Sequence, residues 1–416
     1  MNQLAVPQPP IDAAVSSLTH LDQNWAVEAH PFPLPMMVAG QALTLFVESP
    51  PLFEAVIADM AQATKRIWVE TYIFVNDTIG TRIGELLKAK AKEGLDVRLM
   101  YDTVGSYATP ATFFHDLQRS GVKVHAFHSF GEAFRRISVL FRTLNRRNHR
   151  KLIVIDDDVA YFGGMNVVDQ SGEQTGQPRR RLPVSAGWRD VHLRLQGKRQ
   201  ADLAESLERS WLQATGQKVQ AKPRTYRKGE LTQNGENLQF FDSGPGLRNT
   251  RAARVFLQLF RRARQRILIS MAYFLPTGRV LGELLKARRR NVRVRVVVPA
   301  ASDVAVVKRA CRYLCNMLIK RRFMIYERQH QMLHSKCMVV DDEWSIVGSC
   351  NLDPRSLWIN REFICVIRSP RFAHALSQII RYEIDQSDRF THRDVKAQRW
   401  WHRLVDRFAW ALRWWL

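Results

Sequence analysis

The sequence of 416 residues has no run of about 20 apolar residues, the length that a helix needs to cross a bilayer. It also lacks the basic start and apolar centre that are typical of a secretory signal peptide. These absences argue against a transmembrane helix and against secretion. We therefore expect a protein of the cytosol or of a membrane surface.

Cysteine is scarce, and its spacing suits neither disulfides nor zinc. The five cysteines form no CxxC pair and have no close His partners; they are Cys311, Cys315, Cys337, Cys350 and Cys365. An odd number without ligand spacing fits a reduced compartment better than a disulfide framework or a metal site. We expect no metal and no cofactor, and we interpret Cys311 and Cys315 as packing residues of a helix.

Acidic residues are outnumbered by basic ones. The chain has 63 Lys and Arg against 39 Asp and Glu, which gives a formal net charge of +24. A surface of this charge attracts polyanions, either nucleic acid or anionic lipid, and composition alone does not choose between them. The length exceeds that of a usual single domain, so two domains or one duplicated domain are expected.

An internal repeat accounts for most of the chain. Residues 66–74 (RIWVETYIF) resemble residues 266–274 (RILISMAYF), and the string GELLKA follows each, at Gly84–Ala89 and Gly282–Ala287. Both halves continue in the order strand, helix, strand, helix, strand. Each half is therefore predicted to be an α/β unit with a largely parallel sheet.

Composition predicts the domain boundaries. Prolines mark residues 1–36 as an irregular leader, and a polar, aperiodic stretch marks residues 217–237 as a linker. The two domains then span 37–216 and 238–390. Residues 391–416 are predicted to form a basic, Trp-rich amphipathic helix.

Each half contains one copy of an HxKxxxxD motif with an asparagine downstream. The residues are His149, Lys151, Asp156 and Asn166 in the first half, and His334, Lys336, Asp341 and Asn351 in the second. On a strand, residues two apart project to the same face, so each His lies beside its Lys. A neutral imidazole can attack phosphorus, an ammonium offsets charge on the phosphoryl oxygens, and the Asn amides can donate to them. If the halves face each other across a pseudo-twofold axis, both sets meet one phosphate.

The paired motif resembles that of the phospholipase D superfamily. Further strings narrow the similarity to bacterial cardiolipin synthases, most closely the shorter B type: Trp188-Arg189-Asp190, Ala272-Tyr273-Phe274-Leu275-Pro276, Ser302-Asp303, and Asn351-Leu352-Asp353-Pro354-Arg355-Ser356 running on to Asn360-Arg361-Glu362-Phe363. The similarity spans roughly residues 40–390. It implies two tandem phospholipase D-like α/β domains with mixed, largely parallel sheets, and a two-step reaction without metal.

The resemblance also implies roles for individual residues. By analogy His149 attacks phosphorus to give a phosphohistidine, while His334 protonates the leaving alcohol and later deprotonates the incoming one. The sequence itself does not fix which His is the nucleophile.

Four carboxylates complete the expected catalytic set. Asp190 and Glu362 match the family positions that orient the two imidazoles. Asp156 and Asp341, although part of the motif, are expected to brace it through hydrogen bonds.

Two amphipathic stretches bear on the substrate. Residues of the C-terminal stretch recur at three- and four-residue steps among arginines: Trp401, Leu404, Val405, Phe408, Leu412 and Trp415. This pattern is typical of an interfacial helix on an anionic bilayer, although packing on the core or on another subunit would produce it too. The stretch 134–147, just before the first motif, is similar and is a second candidate for lipid contact.

The expected function is cardiolipin synthesis, in which one phosphatidylglycerol donates its phosphatidyl group to another and glycerol leaves. The alternatives are a phospholipase D-type hydrolase, a nuclease, which the net charge favours, and a membrane-binding homologue without activity. We expect a peripheral location on the cytoplasmic face of the bacterial inner membrane and no nucleic acid partner. Other donors and acceptors, competition by water and the oligomeric state stay open at this stage.

Overall fold

A computed structural model describes residues 32–127, 146–169, 187–218, 231–232, 234–244, 250–302 and 304–414. Backbone contacts group Phe32–Leu416 into one unit, which holds both copies of the repeat.

Two eight-stranded sheets contain most of the strands. The first half contributes β1 (Leu34–Val38), β2 (Gln41–Phe46), β3 (Arg66–Thr71), β4 (Asp96–Asp102), β5 (Lys123–Phe127), β6 (Leu152–Ile155), β7 (Val159–Gly163), β8 (Trp188–Arg189) and β9 (His192–Gln196). The second half contributes β10 (Asn237–Ser243), β11 (Arg266–Met271), β12 (Arg293–Pro299), β13 (Met324–Arg328), β14 (Met332–Leu333), β15 (Lys336–Val340), β16 (Trp344–Gly348), β17 (Glu362–Arg368) and β18 (Ser387–Phe390).

Seven strands have the same order in both sheets, as a duplication requires, and each sheet has one further edge strand, β1 in the first and β18 at the opposite edge of the second. The first runs β1-β2-β9-β7-β6-β3-β4-β5 and the second runs β10-β17-β16-β15-β11-β12-β13-β18. The prediction of a tandem α/β repeat with mixed sheets is confirmed. Within the two eight-stranded sheets, parallel pairing is limited to β3-β4-β5 and β11-β12-β13, because only these strands are joined by helical crossovers. The motif strands turn back in tight hairpins and pair antiparallel, so the largely parallel character holds for that three-strand part alone.

Helices cover the sheets. Those of the first half are α1 (Ser49–Ala61), α2 (Thr78–Lys92), α3 (Ala111–Arg119) and α4 (Gln200–Ala214). Those of the second half are α5 (Arg251–Arg262), α6 (Gly278–Arg289), α7 (Ala305–Ile319), α8 (Pro354–Trp358), α9 (Pro370–Asp385), α10 (His392–Ala397) and α11 (Trp400–Ala411). Helix α2 contains the first GELLKA string and buries its second leucine, Leu87, whereas α6 contains the second string and buries its first leucine, Leu284.

Each sheet has its own apolar core, and aromatic rings join the two halves. Alternate residues of β3 and β11, such as Ile67 and Ile267, point into these cores. Between the halves, the ring of Phe162 on β7 lies 5.7 Å from that of Phe240 and 5.8 Å from that of Phe363. This contact packs the two sheets against each other behind the motif strands.

The predicted boundaries need three adjustments. Strand β1 begins at Leu34, inside the predicted leader, because it pairs with β2 at the sheet edge. Strand β10 begins at Asn237, the last residue of the predicted linker, much of which lies outside the described residues. The single C-terminal helix is wrong: the chain is extended at Gln398 and separates α10 from α11. Arg403 donates to the carbonyl oxygens of Lys396 and Gln398 at this break, which satisfies groups that a helix end leaves open.

Candidate active site

The two motifs meet where segments of the two halves cross. Strand β14, just before His334, pairs in parallel with β8, just before Asp190. In the reciprocal crossing, Asn148, just before His149, forms a parallel bridge with Arg361, just before Glu362. Each histidine therefore follows a segment that is held by the opposite half.

Backbone hydrogen bonds set the register of these crossings. The N–H of His334 donates to the Arg189 carbonyl over 2.8 Å, and the N–H of His149 donates to the Arg361 carbonyl over 2.9 Å. Since the next residues in the opposite half are Asp190 and Glu362, each carboxylate is delivered beside the histidine of the other half.

The imidazoles contact these carboxylates unequally. His334 Nδ1 lies 2.6 Å from Asp190 Oδ2, and His149 Nδ1 lies 3.2 Å from Glu362 Oε2. His149 Nδ1 also lies 3.0 Å from the Ser349 carbonyl oxygen. A carbonyl oxygen only accepts, so this contact places a proton on His149 Nδ1 and leaves Nε2 as the unprotonated nitrogen of the neutral ring.

The protonation states of the two carboxylates differ as well. Burial raises the pKa of Glu362 to about 7, against the opposing effect of Lys151. Burial also acts to raise the pKa of Asp190, but Lys336 and His334 outweigh it and lower that pKa below its usual value. At neutral pH Asp190 is ionised, whereas Glu362 is divided between its two states.

The histidines and lysines share one buried site. Burial lowers the pKa of His149 well below its usual value, with further lowering by Lys151, Lys336 and His334. Burial and Lys336 lower the pKa of His334, which Asp190 partly counteracts. Burial lowers the pKa of Lys151 to about 7. These four basic groups disfavour one another's positive charge in a buried site. An anion bound among them would offset this repulsion and would therefore bind strongly.

The lysines are held in place by their own motifs. Lys151 Nζ donates to the His149 carbonyl over 2.7 Å. Lys336 Nζ donates to the His334 carbonyl and lies 3.1 Å from His334 Nε2. Each ammonium thus stands beside the histidine of its motif, as strand alternation predicts.

Both asparagines are buried and anchored by one atom. Asn166 Oδ1 accepts from the Ile73 N–H over 3.2 Å, and Asn351 Oδ1 accepts from the Tyr273 N–H over 3.3 Å. Because these contacts fix the oxygen, the amide orientation is set and the NH₂ group is presented as a donor. Their binding to a phosphate stays a prediction.

The motif aspartates lie at the other ends of the motif strands and do not contact the histidines. Asp156 accepts from the N–H groups of Thr64, Lys65 and Arg66, which outweigh burial and lower its pKa. Asp341 accepts from three N–H groups of the matching turn before β11. These contacts anchor the motif hairpin to the neighbouring strand. A bracing role for the two aspartates, without part in the chemistry, stays a prediction.

Close packing behind Asp190 depends on one glycine. A Cβ at Gly164 would lie 2.1 Å from Asp190 Oδ1, so a larger residue would push the carboxylate away. The matching residue of the second half is Ser349, whose hydroxyl donates to Glu362 over 2.5 Å. This difference between the repeats contributes to the unequal settings of the two histidines.

Sequence reasoning missed the aromatic neighbours of the imidazoles. The ring of Tyr72 lies 5.0 Å from that of His149, and the ring of Trp188 lies 5.3 Å from that of His334. Lys151 Nζ also lies 5.3 Å from the centre of the Tyr72 ring. Comparison of the two sequence repeats could have drawn attention to Tyr72, because the matching residue of the second half is the much smaller Ala272.

A buried polar network behind the first motif was also missed. Asn148 donates through its backbone to Asp102 over 3.0 Å and through its side chain to Glu70 over 2.8 Å. Glu70 also accepts from Ser210 over 2.6 Å. These contacts hold the segment that ends at His149.

Two expectations concern residues that lie wholly or mostly outside the described ranges. Most of the stretch 134–147 lies outside them, and so does Asp303. Across the described ranges, no group of three or more His, Cys, Asp or Glu side chains is arranged to hold a metal ion. The metal-free reaction remains a prediction. No helix in those ranges is long and apolar enough to span a bilayer.

Comparison with known proteins agrees with this geometry. The family described as "Cardiolipin synthase, PLD-like domain" matches residues 56–176 and 256–383, one copy in each half. A cardiolipin synthase A of Pseudomonas putida is 32% identical over 357 residues, which cover 86% of this chain and 71% of that protein. A cardiolipin synthase of Halalkalibacterium halodurans is 31% identical over 349 residues, covering 83% and 67%. The expected B type stays a prediction.

Solved structures share the fold at low identity. A phosphatidylserine synthase of Haemophilus influenzae superimposes with a TM-score of 0.68 at 16% identity, covering 97% of this chain and all of the other. A polyphosphate kinase of Porphyromonas gingivalis gives 0.56 at 13% identity, covering 88% of this chain and 52% of the other. With the family match over both repeats and the relatives above 30% identity, the chain belongs to the phospholipase D-like family of cardiolipin synthases.

Proposed function

We propose that the protein is a phosphatidyltransferase that forms cardiolipin from two molecules of phosphatidylglycerol. One observation carries this proposal: two imidazoles lie in a single buried cationic site, each against a carboxylate from the opposite half. Such a site provides a nucleophile, a proton carrier and anion stabilisation for a phosphodiester. The relatives named cardiolipin synthase support a lipid, rather than another phosphodiester, as the substrate.

The reaction has two displacements at phosphorus. In the first, His149 Nε2 forms a bond to phosphorus as the bond to the glycerol oxygen breaks, and that oxygen takes a proton from His334. In the second, the hydroxyl of the acceptor gives its proton to His334, its oxygen bonds to phosphorus, and the bond to His149 breaks. Lys151 and Lys336 offset the charge on the phosphoryl oxygens, with donation from Asn166 and Asn351.

The unequal settings of the histidines support this division of roles. The Ser349 carbonyl keeps a proton on His149 Nδ1, so Nε2 retains the lone pair that a nucleophile needs. The ionised Asp190 stabilises a positive charge on His334, which suits a residue that gives up a proton in the first step and takes one in the second. These contacts favour His149 as the nucleophile, a choice that the sequence leaves open.

Wild-type protein added to phosphatidylglycerol vesicles is expected to produce cardiolipin and glycerol in equal amounts. Lipid products would be separated and identified by mass spectrometry, with glycerol measured enzymatically. Phosphatidic acid as the main product would support the hydrolase instead. Cleavage of oligonucleotides without any lipid product would contradict the proposal, and loss of activity on adding a chelator would contradict the metal-free reaction.

Helix α11 supports a peripheral place on an anionic membrane. The described part of the predicted apolar stripe is exposed, with Trp401 at 42%, Leu404 at 55% and Phe408 at 68%, whereas Trp415 lies outside the described residues. The opposite face is anchored, since Asp406 pairs with Arg309 of α7 over 3.3 Å. Arg399, Arg403 and Arg407 are exposed on the same helix, as contact with anionic headgroups requires.

Replacing both Leu404 and Phe408 by serine is expected to weaken binding to phosphatidylglycerol vesicles at least about tenfold, because each fully buried apolar side chain contributes ~1.5–3 kcal/mol. Sedimentation with vesicles measures the binding. Met37→Ser is the matched control, since Met37 is 46% exposed on the edge strand β1. If the double variant and the control bind equally well, α11 is not the membrane contact.

A further inference from the structure

The second half has a pocket beside the motif that the proposed reaction does not yet use. It has about 20 Å³ of free space for a water-sized group and is formed by the ends of β11, β12 and β13 together with α7. Its polar lining includes Ser302, Lys308, Arg312 and Glu327.

The pocket adjoins the site of His334. The Ala272 N–H, in the pocket wall, donates to the carbonyl oxygen of Ser335 over 2.9 Å, and Ser335 lies between His334 and Lys336. Tyr273, also in the wall, donates its N–H to Asn351. The pocket wall is thus hydrogen-bonded to the strand segment that carries the histidine to which we assign proton transfer.

The opening comes from a difference between the two repeats. Strand register matches Ala272 with Tyr72 and Val298 with Tyr101. In the first half, the Tyr72 ring packs against His149 and the Tyr101 ring stacks on Phe114 at 3.7 Å. Small residues thus create space in the second half where large rings fill it in the first.

The same difference places a charge in the pocket. Glu327 pairs with Val298 in the sheet, and the matching pair in the first half is Ala126 with Tyr101. Burial raises the pKa of Glu327 and lowers that of Lys308, so both groups are partly withdrawn from water.

The polar groups of the pocket have bonding capacity to spare. Arg312 Nε is buried without a hydrogen-bond partner in the described ranges. Arg312 and Lys308 attract the Glu327 carboxylate and act against the effect of burial on its pKa. A carboxylate next to two cations suits a ligand whose groups both donate and accept, which is the property of adjacent hydroxyls.

The pocket is also placed for access by a lipid. Residues 308, 311, 312 and 315 of α7 face the pocket, whereas Arg309 and Tyr313 face α11, where Tyr313 stacks on Trp410 at 5.7 Å. Helices α7 and α11 thus lie between the pocket and the exposed apolar face of α11, and each helix is roughly 10 Å thick.

We infer that this pocket binds the glycerol hydroxyls of the acceptor lipid and presents the terminal hydroxyl to His334. The inference rests on the proposed function and assigns the two halves different tasks: the first supplies the nucleophile, and the second selects the acceptor. It identifies Glu327, Lys308 and Arg312 as residues that determine specificity.

The test compares two soluble acceptors that share one donor. Phosphatidylglycerol vesicles are supplied with either deuterated glycerol, which gives labelled phosphatidylglycerol, or ethanol, which gives phosphatidylethanol. Ethanol has only the reacting hydroxyl and makes no use of the pocket groups. The ratio of the two rates therefore measures recognition of the other hydroxyls.

We expect the glycerol-to-ethanol ratio of kcat/KM to fall about tenfold in Glu327→Gln, equivalent to ~1.4 kcal/mol. Ala272→Tyr, which introduces the residue of the first half, is expected to lower the ratio by at least as much. Asp388→Asn is the matched control, because Asp388 is exposed and lies opposite Glu327 on the neighbouring strand. The control should retain the wild-type ratio.

Each other outcome has a distinct meaning. An unchanged ratio in both pocket variants, or a parallel fall of both products in folded protein, overturns the inference while the proposed function stands. Wild-type protein that forms cardiolipin but neither of these products overturns the inference alone, whereas wild-type protein that forms no cardiolipin overturns the proposed function and the inference with it. Thermal unfolding of each variant checks folding, and Lys308→Met replaces any variant that fails to fold.

Discussion

The variant His149→Ala is expected to lose phosphatidyl transfer by about 10⁴- to 10⁶-fold in kcat, the scale seen when a covalent nucleophile is removed from an enzyme. The reason is structural: His149 Nε2 is the ring nitrogen to which we assign the attack on phosphorus, and alanine offers no nitrogen in its place. His149 Nδ1 is held by the Ser349 carbonyl and by Glu362, so only Nε2 can attack. Cardiolipin formation from phosphatidylglycerol vesicles measures the loss.

The variant His334→Ala separates the nucleophile from the proton carrier. It keeps His149, so a phosphatidyl donor with p-nitrophenol as leaving group, which needs no protonation, should still react once. We expect a burst of about one equivalent of p-nitrophenol and a matching mass increase of the protein, because deprotonation of the acceptor is then impaired. His149→Ala should give neither signal.

This experiment has a control variant and an outcome that would exchange the roles of the two histidines. His115→Ala alters an exposed histidine of α3 and should retain wild-type activity. A burst in His149→Ala together with its absence in His334→Ala would reverse the assignment of the two histidines. Equal bursts in both variants would mean that either ring can act as the nucleophile.

The repeat made the architecture predictable from the sequence. Two copies of one strand and helix pattern predict two similar sheets, and the conserved spacing from His through Lys to Asn within each copy predicts a shared site. What the sequence could not supply is the crossing of β8 with β14, because two-residue strands have no periodic signal. The family resemblance implied that Asp190 and Glu362 orient the two imidazoles, but not which carboxylate serves which histidine. The crossing of β8 with β14 places Asp190 beside His334.

The differences between the repeats were harder to predict than the similarities. Comparison of the two copies shows Tyr72 against Ala272, but a substitution alone does not reveal whether space is opened or refilled. The different protonation of the two carboxylates was equally hard to predict from the sequence. Glu362 and Asp190 occupy matching positions, and only burial and neighbouring charges separate their pKa values.

Replacing Asp190 by asparagine is expected to lower kcat by about 10³- to 10⁴-fold, since loss of the carboxylate that orients and stabilises a catalytic imidazolium has an effect of this size. Asp190 lies 2.6 Å from His334 Nδ1 and is ionised, so it stabilises the positive charge that His334 carries before the first step and again after the second. Steady-state cardiolipin formation measures the loss.

The matched variant Glu362→Gln is expected to cost only about tenfold in kcat, because the Ser349 carbonyl still holds His149 Nδ1 and a neutral hydrogen bond contributes ~0.5–1.5 kcal/mol. Equal losses in the two variants would contradict unequal roles for the histidines. Thermal unfolding of both proteins excludes a loss of fold as the cause.

The pH dependence gives a second, independent distinction. As pH rises through about 7, Glu362 loses its proton and its negative charge makes His149 a stronger nucleophile, so kcat/KM should increase. Above about 7, Lys151 loses its proton and no longer attracts the phosphodiester, so kcat/KM should decrease. The wild-type profile is therefore bell-shaped around neutrality. In Glu362→Gln the rising limb should disappear while the falling limb stays, and a profile that keeps both limbs would show that another group controls the nucleophile.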